Sequence, residues 1–229
     1  MEKTKIGIVV AVEIGAVLSK YGEPSESVNL RGYKVHTYHG SSFDMFVVDS
    51  GAGEISAAAG TQLLIDRFDV DMIINFGAVG ALSEAMKTAE LCVVDSVIHY
   101  DFDTTGWLNL ARGQYPGRDS AYLKATPELV EKVLRLRPGM MKAVCASADK
   151  FIDRAEDKAA LREAYGADIC EMEAAGILLT CLRNEVPCLM IKAISDTLLG
   201  GGREFMKELT RVSETCFEVV DQLVREMLA

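Results

Sequence analysis

The chain of 229 residues carries 24 lysines and arginines against 34 aspartates and glutamates, which gives a formal net charge of −10, and 49% of its residues are hydrophobic. That apolar share is sufficient for one large core, so we predict a single domain over residues 1–229. The negative charge disfavours nucleic acid and anionic membrane surfaces, because both would repel the chain. A neutral or cationic small molecule is the favoured ligand class.

The first apolar segment and the cysteines indicate a cytoplasmic protein. Residues 5–12 form an apolar run that is too short to span a membrane and shows no signal-peptide cleavage pattern. The six cysteines are scattered, mostly within apolar segments and without C-x-x-C spacing. We interpret them as reduced core residues and not as a disulfide framework.

Predicted strands and helices alternate along the chain. The predicted strands cover residues 5–12, 32–39, 43–50, 71–77, 90–99, 141–148 and 188–195, with a hairpin joining 32–39 to 43–50. The predicted helices cover residues 54–67, 126–136, 155–165, 173–184 and 203–228. Residues 101–120 form a long irregular loop, which we expect to be functional or to lie at an interface. The pattern predicts an α/β fold, a single-domain three-layer α/β/α arrangement around a central mixed, twisted sheet.

Two acidic segments mark the candidate site. Asp196 follows the apolar run 188–194, at the carboxyl end of a predicted strand, where open α/β sheets bind ligands. Glu173 lies in the segment 170–176 at the start of the preceding helix, so both carboxylates are expected to face one crevice. Structural roles remain open alternatives, because an Asp here is often a turn or capping residue and glutamates such as Glu171 complement a helix dipole.

Five short motifs occur in order along the chain: IGIVVAVE at 6–13, SGAG at 50–53, NFGAVG at 75–80, EMEA at 171–174 and AISD at 193–196. Together they resemble the nucleoside phosphorylase superfamily over essentially the whole length, and within it the 5′-methylthioadenosine/S-adenosylhomocysteine nucleosidases. The resemblance implies hydrolysis of the N-glycosidic bond of a 5′-thio-substituted adenosine, with release of adenine. It also implies a purine nucleoside as the small-molecule partner, no cofactor or metal, and a homodimer.

The resemblance assigns roles to individual residues. Asp196 matches the acid that protonates N7 of the leaving adenine, and Glu173 matches the carboxylate that holds the 2′- and 3′-hydroxyls. The remaining substrate contacts that it implies are Met172 beside the ribose, Phe151 and Ile152 at the adenine, Ser195 supporting the acid, and Gly77 and Ala78 in the glycine-containing segment.

Three positions depart from the family pattern. The glutamate that positions the attacking water falls on Gly15, so Glu13, two residues earlier, is the candidate base if the loop takes a different path. A family serine is replaced by Ala78. A family arginine is replaced by Lys192, which keeps the charge but loses the planar fork of the guanidinium.

These departures leave other functions open. The first is a nucleoside-binding protein that has lost or altered its turnover. The second is a nucleoside phosphorylase, which is disfavoured because residues 10–19 and 75–84 contain no lysine or arginine to hold phosphate. A metal site at 99–103 (HYDFD) is a weaker interpretation, since this stretch also resembles the family's aromatic-His-Asp segment near the subunit interface, which uses no metal.

Overall fold

The computed structural model describes residues 3–228, so the predicted domain limits at 1 and 229 lie outside the described residues. The strands of this part are β1 (Thr4–Val10), β2 (Glu26–Leu30), β3 (Tyr33–His39), β4 (Phe43–Asp49), β5 (Met72–Ala81), β6 (Leu91–His99), β7 (Tyr122–Lys124), β8 (Met141–Ser147), β9 (Ile169–Glu171) and β10 (Cys188–Asp196). The helices are α1 (Ile14–Tyr21), α2 (Glu54–Phe68), α3 (Pro127–Leu136), α4 (Ala155–Tyr165), α5 (Ala174–Asn184) and α6 (Gly202–Leu228). None of the helices in this range has the length and apolar composition of a transmembrane span.

All the strands belong to one mixed sheet. β1 lies between β4 and β5 and is parallel to both, and β5 also pairs in parallel with β10. β10 pairs with β6, and the sheet continues through β8 and β9 back to β5. β5, β10, β6, β8 and β9 therefore form a closed ring, from which β1, β4, β3 and β2 extend. The parallel strands β1, β5 and β10 end at the same edge, where the candidate site lies.

Helices pack on both faces of the sheet, which confirms the predicted three-layer α/β fold. On one face, α1, α3 and α6 contribute side chains such as Val17, Val130 and Phe217 to a common apolar core. On the other face, α2 and α5 contribute Leu64 and Leu178 to a second core. Burial of each such side chain stabilises the fold by about 1.5–3 kcal/mol, so the sheet is anchored from both sides.

The strongly patterned elements are where the sequence predicts them. The predicted hairpin is present as the antiparallel pair β3 and β4, and the five predicted helices correspond to α2, α3, α4, α5 and α6. Four elements, α1, β2, β7 and β9, were not predicted from the sequence. Each of them has eight residues or fewer, and their formation depends on tertiary contacts that leave little periodic signal.

Two local predictions near the site are wrong. The expected position of Glu171 in a helical turn is wrong, since it is the last residue of β9, where the segment before it pairs with both β5 and β8; its carboxylate nevertheless accepts N–H groups at the start of α5, as the helix-dipole interpretation expects. The strand predicted to end at Gly77 continues to Ala81, because β10 remains paired along it as far as Asp196 opposite Gly80. The glycine-containing segment is therefore an extended strand and not a loop.

Candidate active site

A pocket of about 220 Å³ opens where β1, β5 and β10 end. The residues predicted from the sequence that line it are Glu13, Ala78, Phe151, Ile152, Met172, Glu173 and Asp196. Gly77 and Ser195 do not line the pocket, but each precedes a lining residue in the chain. Residues that lie far apart in the sequence thus converge on one concave site.

Glu13 directs its carboxylate back into the pocket from the end of the loop after β1. One oxygen, Oε2, accepts hydrogen bonds from the N–H groups of Ala11 at 3.2 Å and Val12 at 3.0 Å, and Oε1 accepts one from Ala78 N–H at 3.2 Å. Gly77 permits this approach, since a Cβ at that position would collide with Oε1. The side chain is buried, and a carboxylate therefore occupies the pocket from position 13.

Gly15 lies on the exposed side of α1. A Cβ built there would meet no other atom within 4 Å, so a side chain at this position would extend into open space. The loop after β1 thus takes a path that places Glu13 in the pocket and leaves position 15 outside it.

Asp196 ends β10 and is only 2% exposed. Its Oδ1 lies 2.8 Å from Ser195 Oγ, which also lies 3.1 Å from the carbonyl oxygen of Val79. Its Oδ2 accepts a hydrogen bond from the ammonium of Lys158, which is completely buried on α4, at 2.5 Å. Gly80 allows the strand to pass close to this pair, because a Cβ there would lie 3.1 Å from Oδ2.

Glu173 immediately precedes α5 and joins it to the loop after β4. Its Oε1 accepts a hydrogen bond from Gly53 N–H at 2.9 Å. Burial and, next, the nearby carboxylate of Glu171 raise the pKa of Glu173 to about 7.

Glu171 is the centre of a buried polar cluster behind Glu173. Its carboxylate accepts hydrogen bonds from the N–H groups of Glu173 at 3.0 Å and Ala174 at 2.9 Å, and so caps α5. Lys192 Nζ lies 3.3 Å from Glu171 Oε2. Burial, the largest single influence, lowers the pKa of Lys192, but Glu171 together with Cys145, Glu173 and Glu13 outweighs burial and raises it. The buried lysine is therefore charged and neutralises Glu171.

Ser147 reveals a protonated carboxyl in the same cluster. Its Oγ lies 2.5 Å from both Glu54 Oε1 and Glu171 Oε1, and it accepts a hydrogen bond from Ala175 N–H at 3.2 Å. A hydroxyl has one proton and can donate to only one carboxylate, so the other contact requires a protonated carboxyl. Burial and then the charge of Glu171 raise the pKa of Glu54 to about 8. Glu54 is therefore the carboxyl that holds the proton at neutral pH.

The substitution Glu54→Gln is expected to flatten the dependence of stability on pH. In the wild type, a folded-state pKa raised from 4.5 to about 8 gives stability that is complete below pH 4.5 and is lost as pH rises through about 8. The Gln amide still donates to Ser147 and accepts from Gly176 N–H, but it does not titrate. We expect E54Q to exceed the wild type in free energy of unfolding by roughly 2 kcal/mol at about pH 9, as measured by urea unfolding.

The exposed Glu163 on α4 provides the matched control for this measurement. Glu163→Gln should keep the wild-type dependence of stability on pH. An E54Q protein whose unfolding free energy still falls with pH as steeply as that of the wild type would show that the proton does not reside on Glu54.

Three residues of the site were not found from the sequence. Lys158 lies on the buried face of α4, three residues before the buried Leu161. Its place on the apolar face of the predicted helix could have indicated a buried cation. Glu54 and Ser147 gave no signal, because their contact depends on how α2 and β8 meet in the folded chain.

The long loop between β6 and β7 is irregular, as predicted. His99 Nδ1 lies 2.6 Å from the hydroxyl of Tyr115, and Phe102 stacks on the Tyr115 ring with the centroids 4.0 Å apart. Trp107 is 77% exposed on this loop.

Among residues 3–228, no group of three or more His, Cys, Asp or Glu side chains has an arrangement suited to a metal ion.

Comparison with known proteins identifies related chains. The sequence model of the phosphorylase superfamily matches residues 5–225. A 5′-methylthioadenosine/S-adenosylhomocysteine nucleosidase of Staphylococcus aureus is 31% identical over 235 residues, which cover 97% of this chain and 100% of the relative.

Solved structures match over nearly the whole chain. The 5′-methylthioadenosine/S-adenosylhomocysteine nucleosidase of Colwellia psychrerythraea in complex with adenine has a TM-score of 0.85 and 27% identity, covering 97% of this chain and 95% of that one. The futalosine hydrolase of Helicobacter pylori has a TM-score of 0.90 and 25% identity, covering 97% and 98%.

Proposed function

Since the chain belongs to the phosphorylase superfamily, we propose that it is a purine nucleosidase, which hydrolyses the N-glycosidic bond of nucleosides of the 5′-methylthioadenosine and S-adenosylhomocysteine type and releases adenine. The main support is the convergence of Glu13, Glu173 and Asp196 on one pocket. The nucleosidase relatives agree with this activity. Each carboxyl group has a separate task in the reaction.

Asp196 is the proposed acid. An adenine anion is a poor leaving group, so a proton must reach N7 as the bond between C1′ and N9 breaks. Asp196 in its acid form supplies that proton and becomes a carboxylate. Ile152 and Phe151 also line this pocket, and we propose that they contact the purine ring.

Glu173 is the proposed partner of the ribose. The hydrogen bond from Gly53 engages Oε1 and leaves Oε2 for the 2′- and 3′-hydroxyls. As the base departs, the sugar acquires the positive charge of an oxocarbenium ion, and a nearby carboxylate stabilises that charge. Met172 lines the same part of the site.

Glu13 is the proposed base for the attacking water. A carboxylate has about four lone-pair positions, so an oxygen that accepts backbone N–H bonds retains capacity to accept a proton from water. Water adds its oxygen to C1′ and gives one proton to Glu13, while Asp196 gives its proton to the purine. Glu13 also occupies the N–H of Ala78, which an anion would otherwise use, and its charge would repel phosphate. This arrangement favours hydrolysis over phosphorolysis.

Adenine release from methylthioadenosine, measured with and without phosphate, tests the proposed function. We expect release at the same rate in both conditions. S-adenosylhomocysteine and futalosine should be tested as well, because the two similar solved structures are named as a 5′-methylthioadenosine/S-adenosylhomocysteine nucleosidase and a futalosine hydrolase. A strict requirement for phosphate would identify a phosphorylase, and binding without release of base would identify the nucleoside-binding alternative.

We further propose that the protein is a homodimer in which the loop carrying Trp107 contacts the partner subunit. An indole that is 77% exposed is a typical anchor at an interface. Light scattering is expected to give twice the chain mass of 24.9 kDa, and Trp107→Glu should shift the population to the monomer. Met141→Glu, at an exposed apolar residue outside the loop, is the control. A wild type of monomeric mass would contradict the proposal.

A cytoplasmic location is part of the same proposal. All six cysteines are buried free thiols, which is typical of a reducing compartment. Fractionation of the source cells would contradict this location if the protein were recovered outside the cytoplasm.

A further inference from the structure

Lys158 is a buried cation at the site to which the mechanism above gives no task. Its side chain is fully buried. Its ammonium donates to Asp196 Oδ2 at 2.5 Å, to the carbonyl oxygen of Thr197 at 2.7 Å and to that of Gly200 at 3.1 Å. An ammonium has three N–H donors, so all of them are engaged. The charge is therefore held in one orientation against the proposed acid.

We propose that Lys158 is a positioning residue for the reaction, which orients the Asp196 carboxyl and stabilises the carboxylate that remains after the proton has moved to the purine. This inference rests on the proposed function. Because the ammonium donates to Oδ2, the transferable proton is assigned to Oδ1, the oxygen that lies 2.8 Å from Ser195 Oγ. Lys158 thus fixes the orientation of the Asp196 carboxyl group without itself lining the pocket.

The charge of Lys158 acts on the reacting state more than on the ground state. Only the protonated form of Asp196 can transfer a proton, and in that form its interaction with the ammonium is that of a neutral hydrogen-bond acceptor. As the proton leaves for N7 and the electrons of the glycosidic bond move to the purine, Asp196 becomes anionic beside the cation. An interaction that strengthens as the reaction proceeds lowers the barrier.

Two other titratable groups face this pair. Burial raises the pKa of the Cys170 thiol on β9 to about 12, so it is neutral. Glu204 on α6 accepts hydrogen bonds from Thr197 N–H at 2.9 Å and from its hydroxyl at 3.0 Å. Glu204 therefore binds the segment after β10, and Lys158 is the cation in direct contact with Asp196.

Lys158 also connects the acid to the rim of the pocket. The carbonyl groups that it holds belong to the segment between β10 and α6. That segment leads to Phe205 in the first turn of α6, which lines the pocket and packs edge-on against Phe151 with the centroids 5.5 Å apart. Loss of Lys158 is therefore expected to raise KM as well as to lower kcat.

The test compares Lys158→Met with Arg162→Met, which removes a half-exposed cation one turn further along α4 that is paired with Asp168. The dependence of kcat/KM on pH is measured for methylthioadenosine, and adenine binding is measured by calorimetry over the same pH range. K158M is expected to lower kcat by about 10²-fold. Both pH profiles of K158M should also differ from those of the wild type, because the charge beside Asp196 is removed, whereas R162M should match the wild type.

The outcomes separate this inference from the proposed function. Turnover in the wild type together with unchanged pH profiles in K158M would overturn the role of Lys158 and leave the nucleosidase intact. A wild type that binds adenine but shows no turnover would refute the nucleosidase function. If the pH dependence of adenine binding then differs in K158M, the control of Asp196 by Lys158 would still be supported. Absence of both turnover and adenine binding in the wild type would refute both. Should K158M not fold, Lys158→Gln, which keeps a donor without the charge, is subject to the same criteria.

Discussion

Asp196→Asn is expected to lower the rate of adenine release by about 10²–10⁴-fold, the usual contribution of a general acid. The amide fills the same space and still donates hydrogen bonds, but it cannot transfer a proton to N7. Steady-state release from methylthioadenosine measures the loss. Calorimetry with the same nucleoside should show that binding persists, because Glu173 and the apolar lining are unchanged.

Stability provides the control for this variant. D196N leaves the buried ammonium of Lys158 without its counterion, and breaking a buried pair from one side typically costs about 3–5 kcal/mol. The double variant D196N/K158M removes both charges and should recover part of that loss in urea unfolding, but none of the activity. Release within about tenfold of the wild type in D196N would exclude Asp196 as the acid.

Glu13→Gln is expected to reduce hydrolysis by a similar factor of about 10²–10⁴. The attacking water loses its base, and the amide NH₂ of the new side chain faces backbone N–H groups in place of one carboxylate oxygen. Adenine binding should change far less than turnover, since Asp196 and the residues that line the purine side are intact. Single-turnover release, followed alongside adenine binding, distinguishes lost chemistry from a disrupted pocket.

Gly15 offers a matched test of the same assignment. The double variant E13Q/G15E restores a glutamate at the position that the family uses, but this position is exposed and faces open space. We therefore expect it to remain as inactive as E13Q. Recovery of release in the double variant would show that the loop after β1 can adopt the family's path and that Glu13 is not the required base.

Much of the fold could be predicted because long apolar or amphipathic segments carry their own signal. The run 188–194 predicts a strand buried on both faces, and β10 is buried along its full length. That strand also placed Asp196 at the sheet edge. In contrast, β9 has three residues and exists because β5 and β8 lie on either side of it.

The site was predictable only in part for a similar reason. Glu173 and Asp196 follow motifs, whereas the position of the Glu13 carboxylate depends on a loop path and on the absence of a Cβ at Gly77. Lys158 lies 38 residues before its partner in the chain. A charged residue in a helix is usually solvated, so its burial follows from the packing of α4 and not from local sequence.

The pocket is bounded on one side by the closed ring of β5, β10, β6, β8 and β9, which forms its floor, and on another side by the rings of Phe151 and Phe205, which form its rim. Every strand of the ring is hydrogen-bonded along both edges, so displacing one of them requires breaking two ladders at once. The rim, by comparison, includes the contact between the aromatic rings of Phe151 and Phe205, which involves no backbone ladder. We therefore expect nucleosides that differ in bulk to be accommodated on the side of Phe151 and Phe205, while Asp196 keeps its register with the rest of the sheet.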